Sequence, residues 1–78
     1  MTRDFVAALQ SKGFALVSND RGHCSLVLAG SDGDRSVRIA ASSTSALIDV
    51  YGPDGEYTVT LNRAPDAVAL AIVEAVLR

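Results

Sequence analysis

The chain has no tryptophan, one histidine, one cysteine and a single lysine, and each scarcity removes a class of chemistry. With Cys24 alone, no intrachain disulfide can form, so the fold is not stapled, and a reducing, cytoplasmic setting is expected. One histidine and one cysteine leave a tetrahedral zinc site two ligands short unless carboxylates supply them, and no spacing suggests that. Phe5, Phe14, Tyr51 and Tyr57 are the only aromatic residues, too few to stack bases on. A net charge of −2 offers no basic footprint for nucleic acid or anionic lipid. Asp66, Glu74 and Arg78 interrupt the most apolar segment, so no span of a bilayer is expected. Met1-Thr2-Arg3-Asp4 leads into an amphipathic stretch, not a basic region and a long apolar run, and no leader is expected.

What is present is a folding composition. Hydrophobic residues make up 49% and charged residues 21% of the sequence, far from the disordered regime. The 78 residues suffice for one domain, 1–78, at a size where folding buries only roughly 60% of the surface of the unfolded chain.

Thr2 as N-cap and Asp4 in the first turn predict a short helix with Phe5, Val6 and Leu9 on one side, ending before Gly13. Alternation predicts strands over 14–18, 23–28 and 35–41, the last with Val37 and Ile39 inward and Arg38 outward. Turn formers separate them at 19–22 and 30–34. The polar run 41–45 connects to a hairpin over 47–61, whose Gly52-Pro53-Asp54-Gly55 turn is the strongest local signal. A three-residue loop of Pro53, Asp54 and Gly55 would set Gly52 opposite Glu56. It would pair Tyr51 with Tyr57, Asp49 with Val59 and Leu47 with Leu61 on one face. Pro65 and Asp66 then open a second helix that runs to Leu77.

Helix, five short strands and helix make an α+β, two-layer sandwich: an antiparallel meander with both terminal helices on one face. The short turns favour pairing of sequential strands, and one small set of large side chains supports one core. The expected core is Phe5, Leu9, Phe14, Leu16, Leu26, Leu28, Val37, Ile39, Leu47, Val59, Leu61, Val68, Ile72 and Val76.

Candidate chemistry is sparse. His23 and Cys24 suggest a thiolate activated by imidazole, but neighbours in a strand point to opposite faces. Asp32-Gly33-Asp34 resembles a fragment of a calcium loop, yet Gly30-Ser31-Asp32-Gly33-Asp34 is also an ordinary hairpin turn. Asp49, placed inward by the three-residue loop, would need a partner. No histidine stands ready to activate a serine or threonine. No catalytic, cofactor-binding or metal-binding residue is assigned, and no enzyme activity is expected.

Six arginines against one lysine, with abundant Ala, Val, Gly and Asp, resemble the usage of high-GC actinobacteria and their phages. That resemblance implies a small bacterial or phage protein that docks on a host protein and modulates it. The pattern itself leaves surplus apolar surface. Val17, Val27, Arg38, Ile48 and Val50 are expected on the outer sheet face, and Leu70, Val73 and Leu77 on a spare face of the second helix. These predict an interface with another protein or with a second copy as a homodimer. The alternative reading is a small-ligand or metal-binding domain built on Asp32, Asp34 and Asp49.

Overall fold

Gly13 stops the first helix by taking a conformation that other residues resist. In the computed structural model, which describes residues 3–29, 35–53 and 55–77, α1 (Arg3–Ser11) carries Asp4 in its first turn. Gly13 has φ +103°; its N–H donates to the Gln10 carbonyl at 3.0 Å, and the Phe14 N–H donates to the Leu9 carbonyl at 3.1 Å. This is a Schellman cap, which satisfies two of the last carbonyls. It also turns Phe14 into the core beside Leu9, both at most 3% exposed. Thr2, the expected N-cap, lies outside the described residues, as do Arg78, Asp54 and the turn 30–34.

Five strands follow: β1 (Ala15–Asp20), β2 (His23–Ala29), β3 (Ser36–Ala41), β4 (Ser45–Gly52) and β5 (Gly55–Asn62). They form one sheet in sequential order with every pair antiparallel, the expected meander. The first turn is tighter than the sequence suggests. Arg21 and Gly22 both have positive φ, 51° and 82°, the signature of a two-residue type I′ turn whose twist matches the flanking strands. β1 therefore runs on to Asp20, with a bulge between Leu16 and Ser18. Leu16, expected in the core, is 39% exposed on this edge strand.

The β4–β5 hairpin corrects the expected register by one residue. Gly52 pairs with Gly55 and Tyr51 with Glu56, followed by Val50 with Tyr57, Asp49 with Thr58 and Ile48 with Val59. The loop has two residues because Gly55, at φ +121°, already belongs to the ladder. A slip of one residue reverses a whole strand, so β4 buries Ala46, Ile48 and Val50 and turns Leu47, Asp49 and Tyr51 outward. Ile48 and Val50, expected on the outer face, are 0% and 4% exposed in the core. Leu47, expected in the core, is 37% exposed. The physical reason is direct: this register buries two branched aliphatic side chains where the other would bury a carboxylate.

Ser42 organises the β3–β4 connection, accepting at Oγ from the Ser45 N–H at 3.2 Å while its own N–H donates to the Ser45 carbonyl at 2.8 Å. The Arg63 N–H donates to the Thr44 carbonyl, tying the exit of β5 to that turn.

Helix α2 (Asp66–Leu77) starts with Asp66 in its first turn, and the Pro65 carbonyl accepts from the Ala69 N–H at 3.0 Å. Its buried line is Ala69, Val73 and Val76, a spacing of four and three residues that keeps one stripe on the core. The helix is rotated from the expected orientation. Val73, expected on a spare face, is fully buried, and Val68, expected in the core, is 48% exposed. Ala69, fully buried, is the small residue on the inward stripe. Leu70, Ile72 and Leu77 are partly buried against the same core, so α2 keeps no spare face of large side chains. Its surplus apolar surface is taken up by both the sheet and α1.

Both helices pack on one face of the sheet around a single core cluster. Lys12 and Glu74 join them by an ion pair of 2.7 Å between partly exposed side chains. The Arg35 guanidinium donates to the Val76 carbonyl, placing a cation at the negative end of the α2 dipole.

Candidate interaction surface

The alternation that buries one face of the meander lays out the other in rows. Across β2 to β5 the central row is Val27, Arg38, Asp49 and Thr58; beside it run Ser25, Ala40, Leu47 and Thr60. A third row holds Ala29, Ser36, Tyr51 and Glu56. No described helix covers these rows. Leu47 and Tyr51 are 37% and 39% exposed, Arg38 is exposed, and Val27, Ala40 and Asp49 are half-buried by their neighbours.

Asp49 stands between Arg38 on β3 and Thr58 on β5. Thr58 Oγ1 donates to Asp49 Oδ1 at 2.7 Å. The Thr58 hydroxyl is thus the donor that orders the half-buried carboxylate, and Arg38 stands beside it in register on the neighbouring strand. The expected internal Asp49 lies instead near the centre of a mixed polar and apolar outer face.

Of the residues expected at an interface, the structure brings Val27 and Arg38 together as a cross-strand pair. Val17, 64% exposed, lies at the β1 bulge. Ile48, Val50 and Val73 are core side chains, and Leu70 and Leu77 pack against the core. From the sequence, Leu47, Asp49 and Tyr51 are expected on the inner face, with Asp49, Tyr51 and Tyr57 weighed as a recognition site there, whereas the structure sets Leu47, Asp49 and Tyr51 on the outer face. A signal for them was present: within 45–52 the only charged residue is Asp49, and its alternation class marks the wet side of the strand.

The other candidates do not converge. His23 is exposed, whereas Cys24 is half-buried and its thiol donates to Asn19 Oδ1 at 3.6 Å. They border an open hollow of about 310 Å³ at the end of the sheet, with Ser42, Ser45, Leu47 and Thr60 on its walls. Successive strand residues still direct the imidazole and the thiol apart. Asp32 and Asp34 lie outside the described residues, and among the described residues no group of three or more His, Cys, Asp and Glu side chains converges. Among these residues no helix is long and apolar enough to cross a membrane.

No protein-family model matches the sequence, and comparison with curated proteins and with solved structures returns no match.

Proposed function

We propose that this protein is a non-enzymatic binding module that works by laying the open face of its sheet against another protein. The observation that carries the reading is the composition of that face. Val27, Ala40, Leu47 and Tyr51 lie in and beside the Arg38–Asp49–Thr58 row, among Ser25, Ser36, Glu56 and Thr60, giving a mixed face of apolar and polar side chains with the Thr58–Asp49 hydrogen bond near its centre. Aliphatic and aromatic groups supply area, and arginine is the charged residue most enriched where protein surfaces meet. Five residues along and four strands across make a plane of roughly 17 by 19 Å. That is about two-fifths of the roughly 800 Å² that each partner of a standard complex contributes, so the face forms the centre of an interface that also draws on its borders. The mechanism is burial and orientation: Val27, Leu47 and Tyr51 supply apolar area, while Arg38 and Asp49 reject partners of unmatched charge. A small bacterial or phage protein docking on a host protein would use such a surface.

Photo-crosslinking tests this. A benzophenone side chain at Leu47 is expected to capture a discrete adduct in extract of the source organism, and Arg38→Glu is expected to abolish it. The same probe at Val68, exposed on the helix side, should not yield that adduct. Equal capture from both positions, or capture indifferent to Arg38, would sink the reading.

A further inference from the structure

We propose that two copies of the chain join through the free edge of β5, antiparallel about a two-fold axis, so that their sheets fuse into one of ten strands. The two edges of the five-stranded sheet are not alike. β1 is interrupted by its bulge between Leu16 and Ser18, a device that breaks strand pairing at an edge. β5 runs for eight residues, Gly55–Asn62, with a regular register, no proline and no lysine. Its sequence is β-branched and aromatic, Tyr57-Thr58-Val59-Thr60, and nothing among the described residues blunts it.

The hairpin register says which backbone groups are free. Gly52 and Gly55 flank a two-residue loop, and the pair closing such a loop is of the hydrogen-bonded kind; the kinds then alternate along the ladder. The amides and carbonyls of Tyr57, Val59 and Leu61 therefore face β4, and those of Glu56, Thr58, Thr60 and Asn62 face outward. Pairing Thr58 with the partner's Thr60, and Glu56 with the partner's Asn62, uses all four in about eight main-chain hydrogen bonds.

The side chains fit a second copy in that register. On the helix side Val59 meets the partner's Val59 at the axis, and Tyr57, 51% exposed, meets the partner's Leu61. On the outer side threonines face threonines. No like charges oppose one another, since Glu56 faces an amide. A strand paired with its own copy gives a closed, isologous contact that needs no further subunit. The inference rests on the open-face reading only for what the dimer presents: two copies of the Arg38–Asp49 surface side by side, a bivalent platform.

Light scattering and amide hydrogen exchange across a concentration series test it on the full chain. The mass is expected to rise from 8.1 kDa to twice that value. Over the same range the amides of Glu56, Thr58 and Thr60 should slow by at least roughly tenfold, while those of β1 do not change. Thr60→Pro removes only an outward N–H, so it should keep the circular dichroism of the folded chain and remain monomeric; Thr60→Val should still dimerise. A monomer at every concentration, or a dimer without new protection on β5, overturns the proposal. Protection of β5 that arises only on adding a different protein overturns it too. Crosslinking from Leu47 is read separately, so either inference can fail alone.

Discussion

Replacing Ile48 by alanine measures the hairpin register directly, because the alternative register would exchange Ile48 with Leu47. Ile48 is fully buried between β3 and β5, opposite Ile39 and Val59. Truncation there removes three carbons from a packed core and leaves a cavity, a change that costs about 2–5 kcal/mol. Total stability for 78 residues is roughly 4–12 kcal/mol, so this one change takes a large fraction of it. At this size each kcal/mol moves the midpoint by about 4–8 °C, so Ile48→Ala should lower Tm by at least about 8 °C. Leu47 is 37% exposed on the open face, where removing the same carbons leaves no enclosed void and costs only about 1 kcal/mol. The assay is urea and thermal unfolding of both variants beside the parent. A reversed ranking, with Leu47→Ala the more damaging, would refute the two-residue loop, and with it the assignment of Asp49 and Tyr51 to the outer surface.

Two backbone positions give further predictions. Gly13→Ala places a Cβ on a residue at φ +103° and should cost about 1–2 kcal/mol; the nearest atom to that Cβ would be Leu28 Cδ1 at 3.4 Å, so the loss comes mainly from the backbone, and an unchanged urea midpoint would contradict the Schellman assignment. Arg21 sits at φ +51° in the β1–β2 turn, a conformation that asparagine accepts more readily. Arg21→Asn is expected to raise stability by up to about 1 kcal/mol, seen as a higher Tm, and a fall would argue against a type I′ turn.

The backbone plan was readable in local chemistry. Gly13, the turn formers of 19–22, Pro65 with Asp66, and the alternation around Val37 and Ile39 all act within a few residues of themselves, by sterics, capping and pleat. They determine a helix, five strands and a helix, and short turns then leave a meander as the natural sheet. What they do not determine is which side of β4 is wet. Both Ala46-Ile48-Val50 and Leu47-Asp49-Tyr51 are consistent alternations; the choice falls to a one-residue difference in loop length and to the cost of burying Asp49. The same holds for α2, where apolar residues cover more than half of the helix circumference. Its rotation, with Ala69 and Val73 inward and Val68 outward, is fixed only in the packed structure, where α1 lies against it. Val50 and Val73 thus moved from expected surface to core, and Leu47 moved the other way, because burial is a property of two packed elements together. Secondary structure is encoded along the chain, whereas the identity of the open face is settled only when the layers meet.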